Sequence, residues 1–350
     1  MKALVLAGGT GSRLRPLTYS IPKQLVPVAN KPVLVHGLET IREIGVTEIG
    51  MIVGGQGDQI RAALGDGSDL GVKITYIRQD APLGLAHCVG IARDFLGDDD
   101  FVMYLGDNVL DGGIVDAAEE FTTLRPDAAV LVIKVDDPTQ YGVAELDTEG
   151  RVTALVEKPQ NPRSDLALMG VYFFTPAIHE SVRRIKPSRR GELEITDAIQ
   201  DLLDRGLTVT AQQYPGYWKD TGNAEDLLDC NRMLLSATRA DVAGDVDEHS
   251  IIEGGVVVLP GARIIKSYIE GPAIIGAGTV VSDCHLGPYV SVGGDCALSS
   301  TGIADSIVLD GAVIDSVKGI RGSVIGRWAH VRTGDHRLFV GDHARVEVAV

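Results

Sequence analysis

Hydrophobic and polar positions follow two different grammars along this chain. From residue 1 to about 240, short apolar runs alternate with stretches whose apolar positions recur at helical spacing. The runs Ala3–Leu6, Glu48–Val53, Lys73–Arg78, Phe101–Leu105 and Ala128–Val135 predict strands. Pro32–Ile44, Gln56–Leu64, Leu85–Phe95 and Ile114–Thr123 predict amphipathic helices. This alternation predicts an α/β fold, a mostly parallel Rossmann-like sheet with helices on both faces. Such sheets bind ligands at the carboxyl ends of their strands.

After Ala240 the helical periodicity stops. Aliphatics now recur every six residues: Ile269, Ile275 and Val281, then Leu286, Val292 and Leu298, then Ile314 and Ile320, then Ile325 and Val331. Glycine follows directly at Gly276, Gly287, Gly293 and Gly326. The period predicts a left-handed parallel β-helix, with three six-residue units per coil and inward aliphatics stacked coil upon coil. A β-sandwich would instead alternate with period two and turn every ~8–12 residues. The pattern is interrupted around Ser299–Ile307, and Thr238–Asp247 reads as the junction. The domains expected are therefore 1–240 and 241–350.

Composition narrows the partners. A count of 32 Lys and Arg against 48 Asp and Glu gives a net charge of −16. Such a chain repels nucleic acid and anionic membrane, so an anionic ligand must be held by local Arg, Lys and metal against the overall field. Cys88, Cys230, Cys284 and Cys296 are scattered without a C-x-x-C pair, which suits buried thiols in a reducing compartment. Lys2 is followed by only five apolar residues before the glycines, too few for a signal peptide, and no run reaches the ~18 of a membrane span. A soluble cytoplasmic protein is expected, with no nucleic-acid or membrane partner.

The first strand, Lys2–Leu6, runs into Gly8, Gly9 and Gly11, with Arg13 and Lys23 beyond. Glycines bring backbone N–H groups close to a polyanion, and the basic side chains add charge. Leu14 breaks a G-x-G-x-x-G fingerprint, and no spacing here supplies a P-loop. An ordinary βα turn also carries glycines. The whole string, L-A-G-G-x-G-S-R-L followed by K-Q-L-x-P-V, resembles the signature of sugar-1-phosphate nucleotidyltransferases. Its Lys23-Gln24-Leu25 variant is similar to that of the thymidylyltransferase members, and with a C-terminal hexapeptide β-helix the chain resembles their long form.

That resemblance implies dTTP and glucose-1-phosphate as substrates, Mg²⁺ as cofactor and a homo-oligomeric enzyme of deoxysugar synthesis. It assigns nucleotide binding to Leu6, Ala7, Gly8, Gly9, Gly11, Ser12, Arg13, Lys23 and Gln24. In Gln79-Asp80-Ala81-Pro82-Leu83-Gly84, it implies that Gln79, Pro82 and Gly84 meet the base. A glutamine amide offers a donor and an acceptor, suiting the O4 and N3–H of thymine or uracil. Asp107 and Asp220, in G-D-N and W-K-D-T-G, are the implied metal ligands, although a G-D-N turn can also simply cap a helix. Asn108, Tyr141, Gly142, Glu157, Lys158, Val171 and Tyr172 are the implied sugar-phosphate residues. Gly191-Glu192-Leu193-Glu194-Ile195-Thr196-Asp197 matches a family segment residue for residue, and its own chemistry reads as structural.

The implied reaction needs no general base, because a sugar phosphate is already mostly dianionic at pH 7. Arg13 and Lys23 would clamp the triphosphate during a single in-line displacement. Three other readings stay open: a UTP-using enzyme, a bifunctional one whose β-helix transfers an acetyl group with His285 or His330, and a regulatory or scaffolding homologue.

Overall fold

The apolar runs fold into strands that keep their predicted places, and helices cover them. The computed structural model describes residues 1–333, so the end of the 241–350 domain lies outside the described residues. Two compact units result. One comprises Met1–Thr10, Pro22–Gln24 and Leu34–Asp220; the other comprises Gly11–Ile21, Leu25–Val33 and the chain from Thr221 onward.

The first unit is built on a nine-stranded sheet. Lys2–Ala7 lies between Glu48–Val53 and Phe101–Leu105, and Lys73–Arg78 pairs outside Glu48–Val53, all parallel. Beyond Phe101–Leu105 the sheet turns antiparallel through Leu166–Phe174, whose nine residues are all buried. The sheet is therefore mixed. One reason is local: Gly142–Leu146 and Val152–Glu157 are joined by a short turn, which can connect only antiparallel neighbours. Leu166–Phe174 breaks register between Leu168 and Tyr172, pairing Ala128–Lys134 on both sides of the break. Helices Leu85–Ile91, Ile178–Arg184 and Ile195–Asp204 supply apolar side chains to the same core.

The second unit is dominated by parallel strands in three sheets, the β-helix pattern. Ile264, Ile269, Ile275, Val281, Leu286, Val292, Leu298 and Ile314 are buried in one stack, while Ile320, Ile325 and Val331 are partly buried against it. The coil length differs from the expected three full hexads. Val256 pairs with Ala273 and Ala273 with Val290, an advance of 17 residues per coil, so one corner is a residue tighter. Val290 then pairs with Ser306, an advance of 16, because the Ala304–Asp305 corner is shorter still. This shortening is the interruption seen in the sequence. All four cysteines are buried free thiols. Among the described residues no helix is long and apolar enough to cross a membrane.

A two-residue turn in this unit is held from outside. Ala29 and Asn30 both have positive φ, 48° and 59°, between the paired segments Pro27–Val28 and Lys31–Pro32. Alanine is disfavoured there because its Cβ crowds the following carbonyl. Asn231, fully buried on helix Ala224–Ser236, accepts from the Ala29 N–H at 2.9 Å and from Ser291 Oγ at 2.5 Å. Its own amide donates to the Tyr289 carbonyl at 3.2 Å. Asn231→Ala strips partners from buried donors and should destabilise this unit by about 1–3 kcal/mol. Calorimetric unfolding checks it, and an unchanged transition would show the turn stands without Asn231.

Candidate active site

Most of the predicted site residues lie in the first unit, the glycine loop, Gln79 and Asp107 beyond the carboxyl ends of its parallel strands and the sugar-phosphate candidates largely on its antiparallel half. Leu6 and Ala7 have buried side chains, so only their backbone is available, and the Leu6 carbonyl already accepts from Gly106 N at 2.9 Å. Lys23 crosses the glycine loop: a Cβ on Gly9 would lie 2.9 Å from Lys23 Cε. Its ammonium then ion-pairs with Asp107. Gln24 is buried beside it and donates weakly to the Gly9 carbonyl at 3.4 Å. Its Oε1 is buried with no hydrogen-bond partner.

Asp107 follows the buried strand Phe101–Leu105. The short strand Asn108–Leu110 pairs antiparallel with Trp218–Asp220, which sets Asp220 directly opposite Asn108. The W-K-D and G-D-N motifs, over 100 residues apart, are thus neighbours through backbone register. Among the described residues no cluster of three or more His, Cys, Asp or Glu could hold a metal. Two carboxylates, one just before Asn108–Leu110 and one at the end of its partner strand, fit a hard divalent cation that keeps several waters and takes its remaining oxygens from a phosphate. Lys23 on Asp107 shows that this carboxylate already attracts positive charge.

The Gln79–Gly84 loop is fastened to the G-E-L-E-I-T-D segment. Leu193 N donates to the Leu83 carbonyl at 2.8 Å, and Ala86 N to the Leu193 carbonyl at 3.0 Å. Gly84 sits between them with φ 102° and ψ 171°, and a Cβ there would overlap the Leu193 backbone. Only glycine takes that conformation readily. Gln79 Nε2 faces the Gly84 carbonyl and His87 Nδ1, while its Oε1 is turned toward Gly8. Pro82 is exposed on the same loop.

The sugar-phosphate candidates gather on Gly142–Leu146 and Val152–Glu157. Glu157 is register-paired with Gly142, and Lys158 N donates to the Tyr141 carbonyl at 3.0 Å. Lys158 itself is exposed. Tyr141 packs edge-on against Trp218, with ring centroids 5.5 Å apart. Asn108 Nδ2 donates to the Met169 carbonyl, just before Val171 and Tyr172. Both of these are buried within the sheet, and Tyr172 stacks on Phe174.

Arg190, which the sequence did not single out, completes the cluster with the G-E-L-E-I-T-D segment. Arg190 spans Glu157 at 3.1 Å, Glu192 at 3.0 Å and Glu194 at 3.6 Å, and Thr196 Oγ1 donates to Glu157 at 3.3 Å. Burial and the neighbouring Glu194 hold the Glu157 carboxyl above its ordinary pKa, against Lys158 and Arg190. The signal for this clasp was the G-E-L-E-I-T-D match, whose role as a bracket for two other motifs no local pattern reveals.

Gly11, Ser12 and Arg13 belong to the second unit. There Arg13 passes Gly222, whose Cβ would lie 2.6 Å from Arg13 Nη2. His285 and His330 are exposed on β-helix strands, His285 edge-on to Tyr268 at 5.0 Å.

Comparison with known proteins gives a consistent result. Residues 2–237 match the family model described as nucleotidyl transferase. The chain is 54% identical to the glucose-1-phosphate thymidylyltransferase of Streptomyces antibioticus, covering 99% of each chain. It is 52% identical to that of Streptomyces griseus, covering 100% of each. A crystal structure described as a Bacillus anthracis glucose-1-phosphate thymidylyltransferase with sucrose superposes with TM-score 0.62 at 38% identity. That match covers 67% of this chain and 94% of the other.

Gly84→Ala would force a side chain into the Leu193 backbone and a disfavoured φ, at about 1–3 kcal/mol. Hydrogen exchange at the Ala86 and Leu193 amides should quicken accordingly. Unaltered exchange there would remove this contact from the site's architecture.

Proposed function

The chain belongs to the nucleotidyl transferase family, and we infer from that membership and the site's composition that it is a glucose-1-phosphate thymidylyltransferase. It transfers a thymidylyl group from dTTP to glucose-1-phosphate, giving dTDP-glucose and pyrophosphate. The observation that carries the reading is identity above 50% over the full length of two thymidylyltransferases.

The site's chemistry supports it. Lys23, at the glycine loop, is a cation for the triphosphate, and Arg13, which follows the same glycines in the sequence, is the second. Gln79 and Gly84 form the base end, and Glu157 with Lys158 the sugar-phosphate end. Lys158 carries a fixed charge to aim the phosphate dianion at the α-phosphorus, and the dianion attacks without a general base. Glu157 accepts from sugar hydroxyls, while Lys158 and Arg190 favour its charged form against burial and Glu194. Asp107 and Asp220 are the residues to hold Mg²⁺, which when bound supplies charge neutralisation to the phosphates.

The Lys23–Asp107 pair adds an ordering constraint. A bound triphosphate competes for the ammonium, so Asp107 gives up its partner as the nucleotide arrives. Four buried thiols suit a cytoplasmic setting. Val242 and Val246, at inward-facing positions of the first coil, are exposed, which suits assembly with further copies.

The test is pyrophosphate release by the purified protein with Mg²⁺ and glucose-1-phosphate, offered dTTP, UTP, ATP or GTP. Turnover is expected to be fastest with dTTP and to fall at least about 100-fold in Asp107→Ala. No turnover with any nucleotide would sink the reading.

A further inference from the structure

We propose that His87 is a positioning residue that sets pyrimidine selectivity by fixing which end of the Gln79 amide faces the nucleobase. The proposal rests on the reading of Gln79 as a base contact and sharpens it.

The argument begins with a group whose hydrogen-bonding role is fixed. Gln79 Nε2 lies 3.4 Å from the Gly84 carbonyl oxygen. A carbonyl oxygen only accepts, so the end of the amide facing it must be the NH₂; the flipped amide would set two acceptors against each other. The same nitrogen lies 3.2 Å from His87 Nδ1. Both amide hydrogens therefore have acceptors, provided that His87 Nδ1 carries a lone pair and the imidazole proton sits on Nε2. His87 cannot drift from this role easily. It stands on helix Leu85–Ile91, whose first turn is tied down by the Ala86 N–H to the Leu193 carbonyl at 3.0 Å.

With both donors engaged, Gln79 has only Oε1 to offer. That atom faces the glycine loop, 3.3 Å from the position of a Cβ on Gly8. The amide thus presents an acceptor, rather than the donor-and-acceptor pair expected from the residue type alone. Thymine and uracil carry a donor at N3, and cytosine carries an acceptor there. A fixed Oε1 welcomes the first two and sets lone pair against lone pair with the third. A donor in place of His87 Nδ1 would oppose the NH₂ and draw Oε1 inward against the Gly84 carbonyl, so that neither end of the amide is held toward the base. A histidine that merely fills space on the helix would have no influence on the choice of base.

The experiment compares kcat/KM for dTTP and dCTP, together with their dissociation constants by calorimetry, in wild type and three variants. His87→Lys places a permanent donor at the contact, and the dTTP:dCTP ratio should fall at least about tenfold, one hydrogen bond's worth of discrimination. His87→Leu removes the acceptor without adding a donor, and the ratio should fall by a smaller factor. His87→Asn restores an acceptor close to the Nδ1 position, and its ratio should stay within about threefold of wild type. A folded His87→Lys or His87→Leu protein whose ratio equals that of wild type would overturn the proposal. Loss of the ratio in His87→Asn as well would overturn it too, because size rather than hydrogen bonding would then be responsible. A wild type indifferent between dTTP and dCTP would instead defeat the reading of Gln79 as the base contact, and the proposal with it.

Discussion

The backbone register of the central strand, Lys2–Ala7, is the constraint from which the site follows. Leu6 pairs with Leu105 on one side, and Ala7 with Val53 on the other, while Val53 pairs in turn with Arg78. The residues just beyond these pairs are Gly8, Asp107 and Gln79, so three motifs from distant parts of the sequence arrive in one row. Gln79 N donating to the Val53 carbonyl at 2.9 Å extends the ladder by one more step. A slip of one residue would turn each buried side chain to the opposite face and carry the site with it. Leu4 and Ile52, with no exposed surface, make such a slip prohibitive. The chemistry is therefore specified by core packing as much as by the functional residues.

Electrostatics then sharpens what the register assembles. A chain of net charge −16 has to recruit anions locally. Lys23 and Asp107 are both about 85% shielded from solvent, so their attraction is much less screened than that of an exposed pair. Such a pair favours specificity over raw stability, because removing either partner leaves a charge stranded. At the other end, Arg190 plays the same part among Glu157, Glu192 and Glu194. Lys23 is placed by Asp107 and Arg190 by three glutamates, and each cation can be shared with an incoming phosphate or hydroxyl. Acidic residues around the site therefore hold the cations in place for their ligands.

Strands were the most legible part of the sequence. Glu48–Val53 and Phe101–Leu105 have the bounds that their apolar runs predict, because both faces of a central strand are buried, and Lys73–Arg78 keeps its predicted bounds at the sheet edge, where it is only partly covered. The helix expected at Leu85–Phe95 is instead two, Leu85–Ile91 and Arg93–Leu96, joined at Ala92. The antiparallel half of the sheet could not be read, since apolar runs do not encode direction. The 17-residue coil shows in the sequence only as a five-residue step between groups, as from Val281 to Leu286, where the tighter corner falls. At the site, the motif residues were recognisable, but their supports were not. His87 and Arg190 act through side-chain contacts with residues outside their own motifs and carry no local pattern, and Leu193 lies in a matched segment that does not reveal its backbone bonds to Leu83 and Ala86.

The division of the chain bears on how the β-helix should be regarded. The unit that contains it also contains Gly11–Ile21 and Leu25–Val33, which include Arg13 and flank Lys23-Gln24 on both sides. These segments are bound into that unit by specific contacts. Ala29 bonds to Asn231, Asn30 Nδ2 donates to the Val292 carbonyl at 2.6 Å, and Arg13 passes against Gly222. Arg232, on the same helix as Asn231, makes a two-pronged ion pair with Asp305 at 2.6 and 2.8 Å. Cutting the chain after its last helix would leave Asn30 without its Val292 acceptor and Asn231 without Tyr289 and Ser291. The damage would reach a strained turn six residues from Lys23 in the sequence. Loss of activity on such a truncation would therefore follow from the shared packing alone, and would say nothing about chemistry in the coils themselves.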